Sequence, residues 1–345
     1  MNEVEGIKKS QTIGVILLNL GGPDSLQAVR PFLYNLFSDR QIIQLGPSFM
    51  QKPLAWLIST LRSKKTERYY SLIGGRSPIL DITLAQAKAL EEALNQLSAI
   101  SYQLSAFKVF IGMRYWHPLI EDVVPEIYKS GIKRLVALSL YPQYSIATSG
   151  SSISKLKEVS SKYPIEISYI QSWHNHPVYI KALVDVIKKG FESFNKLLAD
   201  SYQLSAPDIH VLFSAHSLPK KFIDEGDPYV KEIVETIEEI TKWLPIKWHL
   251  SYQSKSGPVK WLEPSTDEKI HELSRDGIKN VLIVPISFVS DHIETLYEID
   301  ILYKQMAERL GIKLKRIESL NIHPYFIDAL RDIVIGNVKE KGWAE

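Results

Sequence analysis

This sequence has no cysteine. A disulfide, a zinc site built on thiolates and a cysteine-held iron–sulfur cluster are therefore excluded, and the composition suits a reducing compartment. An excess of one charge sign is also missing: 41 basic against 39 acidic side chains leave a formal net charge of +2. That balance projects no field toward nucleic acid. No apolar run approaches the length needed to span a bilayer. The opening stretch, "MNEVEGIKKSQTIGVILLNLGG", is acidic before a short apolar run, unlike a secretory signal or an organellar transit peptide. We therefore expect a cytoplasmic protein. Several catalytic signatures are lacking too. Gly21-Gly22 has neither the G-x-G-x-x-G spacing nor the following Lys of a phosphate loop, which argues against a dinucleotide or nucleoside-triphosphate site. H-E-x-x-H and G-x-S-x-G are both absent, which lowers hydrolase readings.

What remains is an ordinary globular composition, 45% hydrophobic and 23% charged over 345 residues, enough for two domains or one large α/β unit. Short runs rich in Val, Ile and Leu recur at 12–20, 107–113, 134–140, 165–170, 209–215, 247–252, 280–286 and 313–320. Amphipathic stretches such as "PVYIKALVDVIKKGFESFNKLL" and "DPYVKEIVETIEEITKWL" separate them. Strand alternating with helix predicts parallel sheets with helices on both faces. The runs divide as four plus four near the helix at 177–198, giving two similar α/β halves, residues 1–175 and 176–345. The hexapeptide "SYQLSA" precedes a strand in each half, at 101–106 and 201–206, a weak sign of duplication.

The first half carries extra chain around 41–80, with an apolar–aromatic piece, "PLAWLISTL", and then a basic one, "RSKKTER". A surface insertion explains this as well as function does. The functional reading is a lip over a cleft for a large apolar ligand with an anionic end, and a site of peripheral membrane contact.

Ligands of open parallel sheets bind beyond the carboxyl ends of the strands. Those ends here carry Gly21-Gly22-Pro23, then Arg114, Tyr115 and His117, then Tyr141, Gln143, Tyr144 and Ser145, and later His216. The seventh run opens into "SFVSDHIETLYEID", with Asp291, His292, Glu294, Glu298 and Asp300 close to a core strand. Ionisable groups so placed are costly unless paired, hydrated or metal-bound. The cluster either caps a helix, with Asp291 as the N-cap, or does chemistry. Any one of these residues alone is more often satisfied core. Their convergence from several strands favours a site.

Eight segments in order carry a family resemblance: "GVILLNLGGPDS", "FLYNLFSDRQII", "IGGRSPI", "GMRYWHP", "YPQYSIATSGSS", "VLFSAHSLPKKFIDEGDPY", "YQSKSGPVKWLEP" and "VPISFVSDHIETLYEID". Together they resemble ferrochelatase, from about residue 12 to 335. That family inserts ferrous iron into a porphyrin in the last steps of haem synthesis. The resemblance implies an α/β, chelatase-like fold of two Rossmann-like halves, each a four-stranded parallel sheet with flanking helices, around a porphyrin cleft.

It also implies roles. His216 is expected to take pyrrole protons and to contact the metal, since imidazole is the usual base near neutral pH. Glu294 is expected to relay metal or protons, and His292 to orient Glu294 or nearby water. If 291–303 is helical, Glu294 and Glu298 lie one turn apart on one face, so His216, Glu294 and Glu298 are the expected metal contacts. Relatives continue the carboxylate row for another turn where this chain has Leu302, which makes Glu298 its outer end. Leu20, Tyr115, Trp261 and Phe288 are expected against the ring, and Arg62, Tyr70 and Ser77 at the lip near the propionates. Arg114 either joins the substrate contacts or braces the cleft. Fe²⁺ and the porphyrin are substrates; no bound cofactor is expected, nor an iron–sulfur cluster at the "EKGWAE" end. "QSKSGPVKWLEP" and "IGGRSPI" look more like the protoporphyrin type than the coproporphyrin type. A cobalt chelatase of corrin synthesis does not share this motif set. A non-catalytic tetrapyrrole-binding protein need not keep His216 and Glu294 together.

Overall fold

The computed structural model describes residues 12–100, 106–199 and 208–343. Apart from Ala106, both "SYQLSA" copies lie outside the described residues. The eight strands are β1 (Ile13–Asn19), β2 (Phe107–Met113), β3 (Arg134–Ser139), β4 (Glu166–Ile170), β5 (Ile209–His216), β6 (Trp248–Gln253), β7 (Asn280–Pro285) and β8 (Lys313–Arg316). They form two four-stranded sheets of the same order, β2-β1-β3-β4 and β6-β5-β7-β8, and every pairing is parallel. All residues of β1 and of β7 are buried, as central parallel strands covered on both faces require. The eighth strand departs most in length from its apolar run. It stops at Arg316 because the next residues turn to place Ser319 and Asn321 on Asp291.

The repeated order puts two crevices face to face. In each half the chain crosses from one side of its first strand to the other, between β1 and β3 and again between β5 and β7. At such reversals the loops after neighbouring strands diverge and leave room for a ligand.

The halves are not separate in packing. The helix Pro177–Ala199, which follows β4, packs on β7 and β8 of the other sheet. Gly190 permits this approach, since a Cβ there would lie 2.9 Å from Ile317 and 3.2 Å from Leu282. The final helix, Pro324–Glu340, returns to pack on β3 and on the helix Ile79–Ile100. One core therefore joins Val15 and Leu17 of β1 to Phe213 of β5 and Val284 of β7. A cut at 175/176 divides the chain order but leaves the last helix on the far side of the packing.

The extra segment around 41–80 contains the helix Gln51–Ser71, laid against the helix Val29–Ser38. Ala55, Ser59 and Ser63, four residues apart, are buried along its inner face and let the two backbones come close. The outer face leaves Trp56, Leu57 and Leu61 exposed, while Leu54 is half-buried. Among the described residues no helix is long and apolar enough to cross a membrane.

Candidate active site

Between the two crevices lies an apolar cavity of about 350 Å³. Leu20 and Tyr141 enter it from behind β1 and β3, His216 from the end of β5, and Phe288 from behind β7. Tyr70 and Ser77, both buried, come from the lip helix and the turn after it. Gly22 makes space for that turn, since a Cβ at residue 22 would lie 2.5 Å from Ser77 Oγ. Trp261 is half-buried on the wall, and its Nε1 has no hydrogen-bond partner.

The polar floor is built around the last residue of β5. The His216 backbone N–H donates to Ser287 Oγ (3.0 Å), and its carbonyl accepts from Tyr229 Oη (3.0 Å). With the backbone so held, His216 Nδ1 meets Glu294 Oε2 at 2.7 Å. The edge of the imidazole also faces the Phe288 ring, with centroids 6.4 Å apart. Burial disfavours the charged imidazole, but the Glu294 charge and hydrogen bond outweigh it and raise the His216 pKa. Burial likewise pushes Glu294 upward. The His216 charge and hydrogen bond, then His292 and Ser254, overcome that and hold the carboxyl at about 2.

The segment is helical, and Glu294 opens it as a π-helix, Glu294–Tyr303, with wider turns than an α-helix. Such wider turns cluster at functional sites. Within it Glu298 is pushed up to about 7, by burial first and then by the neighbouring Glu294 charge. Ser254, just past β6, lies 2.8 Å from Glu294 Oε2 and 2.6 Å from Glu298 Oε2. Gln253 Nε2 donates to the Glu294 carbonyl (3.1 Å), tying β6 to the π-helix. His292 is buried, and its Nδ1 lies 3.0 Å from the Ser290 carbonyl. Its Nε2 stands 3.9 Å from Glu294 Oε1. Burial holds its pKa below the ordinary histidine range, so it sits beside the His216–Glu294 pair as a neutral ring.

Asp291 does not cap the helix. Its carboxylate takes Arg316 Nη1 (2.9 Å), Ser319 Oγ (2.7 Å), Asn321 Nδ2 (2.9 Å) and Thr295 Oγ1 (3.1 Å). The same guanidinium grips Asp300 with Nε and Nη2, at 2.9 and 2.7 Å. One buried cation from β8 thus pairs two of the acids that looked costly in the sequence. Among the described residues no three His, Asp or Glu side chains are grouped to hold a metal. His216, Glu294 and Glu298 are therefore not gathered into a closed ligand set; His216 meets Glu294 directly, and Ser254 stands between Glu294 and Glu298.

Tyr115, expected against the ring, stands behind the wall instead, and Arg114 takes the bracing alternative beside it. Tyr115 is 1% exposed, and its hydroxyl donates to Asp39 Oδ2 at 2.7 Å. Arg114 Nη2 reaches the same oxygen at 2.6 Å, and its Nε reaches Ser151 Oγ at 2.9 Å. Burial would raise Asp39, but the Ser151 and Tyr115 hydrogen bonds and the Arg114 charge outweigh it and lower its pKa. The group braces the end of β2 against the helix Val29–Ser38. Neither Arg114 nor Tyr115 lines the cavity. At the mouth, Arg62 Nη1 donates to Ser256 Oγ (2.7 Å), and Tyr69 stacks on Tyr297 with centroids 4.1 Å apart. Ser254, Tyr297 and Asp39 went unnamed in the sequence, although each lies inside one of the eight family segments; Tyr69 lies outside all of them.

A family model described as Ferrochelatase matches residues 12–338. The chain belongs to the ferrochelatase family. It is 49% identical over 340 residues to a Ferrochelatase of Gloeothece citriformis, covering 96% of this chain and 84% of that one. A Ferrochelatase of Geotalea uraniireducens is also 49% identical, over 324 residues, covering 93% of this chain and 96% of that one. Among solved structures, SirB from Bacillus subtilis with Fe³⁺ aligns with a TM-score of 0.54 and 14% identity, over 97% of this chain and 99% of that one. At that identity the likeness speaks for the chelatase fold alone.

Proposed function

We propose that this ferrochelatase-family chain inserts Fe²⁺ into protoporphyrin IX, making protohaem, the last step of haem synthesis. The observation that carries the reading is an acid–base pair, His216 and Glu294 at 2.7 Å, on the floor of an otherwise apolar cavity. Metalation exchanges two pyrrole N–H protons for one metal ion. With Nδ1 engaged by Glu294, His216 accepts a pyrrole proton at Nε2, and the Glu294 carboxylate stabilises the imidazolium that forms. Glu294 and Glu298 then pass the proton, or the incoming cation, along the π-helix. Carboxylate and imidazole suit a divalent iron ion in transit. Leu20, Phe288 and Trp261 offer faces to the ring, and Tyr70 and Ser77 offer hydroxyls at its edge.

The mouth supports the two-propionate porphyrin. Arg62 is the one permanent cation among the cavity-lining residues described, with Thr66 and Ser256 nearby. A guanidinium binds a carboxylate in two-pronged fashion. One such group suits a ring with its carboxylates on a single edge better than a ring with four. The lip helix rests on the cytoplasmic face of a membrane through Trp56, Leu57 and Leu61, an exposed cluster of the kind that marks partner or lipid surfaces. The test is a metalation assay of purified protein with Fe²⁺, comparing protoporphyrin IX and coproporphyrin III. Preference for coproporphyrin overturns the substrate, and no metalation of either overturns the activity.

A further inference from the structure

The row of acids on the π-helix stops at Glu298, and Leu302, 43% exposed, occupies the next turn. What joins the two acids that remain comes from another element. His216 Nδ1 lies 2.7 Å from Glu294 Oε2, that oxygen lies 2.8 Å from Ser254 Oγ, and Ser254 Oγ lies 2.6 Å from Glu298 Oε2. Each step is a hydrogen-bond distance. A serine hydroxyl has one proton and two lone pairs, so it donates to one carboxyl group while accepting from the other. It does not donate to both at once.

Ser254 is held there against its backbone preference. Its φ is +68°, the left-handed region that glycine adopts freely and serine rarely does. The preceding residue fixes it: Gln253 pairs with His216 in the sheet, takes Ser214 Oγ at 2.7 Å and donates to the Glu294 carbonyl. The strand that positions His216 therefore also positions the hydroxyl between the acids. Non-glycine residues kept in such a conformation concentrate at functional sites.

We propose that Ser254 is a positioning residue of the metalation reaction, the hydroxyl through which a proton passes between Glu294 and Glu298. The proposal rests on the ferrochelatase reading above. In the step, the Nδ1–H bond of the His216 imidazolium breaks as an O–H bond forms at Glu294 Oε2, and that O–H bond breaks in turn as a new one forms at Ser254 Oγ. The original Ser254 O–H proton moves to Glu298 Oε2. The serine is regenerated and one proton has moved outward, with no oxidant, reductant or co-reactant.

The experiment compares wild type, Ser254→Gly and Ser254→Asn in Fe²⁺ insertion. Porphyrin binding is followed by fluorescence, and the solvent deuterium isotope effect on kcat is measured. Glycine relieves the backbone and deletes the hydroxyl, so Ser254→Gly should fold and bind porphyrin normally. Its kcat should fall at least tenfold with an altered isotope effect, while the porphyrin KM is unchanged. Asparagine tolerates the left-handed backbone, and its amide donates to both carboxylates without relaying a proton. It should hold the acids in place yet remain as slow as the glycine variant. Wild-type kcat and isotope effect in Ser254→Gly overturn the proposal, as does full recovery of kcat in Ser254→Asn. Wild-type protein that metalates no porphyrin overturns the function and this inference together; an active wild type with an indifferent Ser254→Gly overturns this inference alone.

Discussion

His216 and Glu294 are 78 residues apart in the chain and 2.7 Å apart in space, Nδ1 to Oε2, across the join of β5 and the π-helix. Because the carboxylate occupies Nδ1, the opposite ring nitrogen is the one left for substrate. His216→Ala should abolish metalation while porphyrin affinity stays within about twofold, since a base acts on the barrier more than on ring contacts. Porphyrin fluorescence titration beside a turnover assay checks this. Turnover near the wild-type rate would remove His216 from the proposed role.

Glu294→Gln keeps the shape of the side chain but ends its ability to carry charge or a proton. Its loss should fall on kcat, by roughly a hundredfold or more. Glu298→Gln, farther from the ring, should act more on the apparent KM for Fe²⁺. Leu302→Glu adds an outer carboxylate, and it should lower that KM most at low salt, where fields of exposed charge reach farthest. Steady-state kinetics at two ionic strengths separates the three. A silent Glu294→Gln would leave the row without a chemical role.

The acids also predict opposite pH signatures in stability. Glu298, raised to about 7, favours the fold most when protonated. That contribution is full below its unfolded pKa near 4.5 and is lost as pH rises through about 7. Glu298→Gln should therefore stabilise the protein at about pH 8 by ~1–3 kcal/mol and change little at about pH 4. Glu294, held at about 2, has the reverse sign. Its contribution is present above its unfolded pKa and disappears as pH falls from about 4.5 toward 2. Denaturant melts across this range read both; a Glu298→Gln effect of equal size at both pH values would contradict the linkage.

On the lip, exposure decides which side chains can reach a membrane. Leu54 is half-buried, whereas Trp56 and Leu61 are 54% and 73% exposed. Trp56→Ser with Leu61→Ser should weaken sedimentation with anionic vesicles several-fold, leaving the melting temperature within about 2 °C, as expected for surface positions. Undiminished vesicle binding would place the membrane contact elsewhere or nowhere.

Arg62→Ala should raise the porphyrin KM about tenfold or more, in line with a lost charge-assisted pair. Mesoporphyrin and its dimethyl ester, which masks the carboxylates, make the comparison. Equal sensitivity of the variant and wild type to esterification would mean that Arg62 does not touch the propionates.

Much of this was legible in the order of residues. A strand buried on both faces must be a continuous apolar run, so β1, β3 and β7 announced themselves in "TIGVILLNL", "RLVALSL" and "NVLIVPI". The same runs placed His216 and the acids near strand ends, and the motifs around them identified the family. Local pattern carries this information because it depends on neighbours within a turn or a pleat.

What the chain order left open was which distant groups meet. "GMRYWHP" does not say that Arg114 and Tyr115 turn onto Asp39 and away from the cavity, because Asp39 is 75 and 76 residues away from them. Nor does "SDHIETLYEID" reveal that Arg316 pairs with Asp291 and Asp300, or that the helix widens where Glu294 begins it. The return of the final helix to the first half and the meeting of Ser254 with two carboxylates have the same origin. Burying a charge or a strained backbone is tolerable only when its partners arrive from elsewhere. Which partners arrive is decided by the packing of the two sheets against one another, and that exists only in the folded chain.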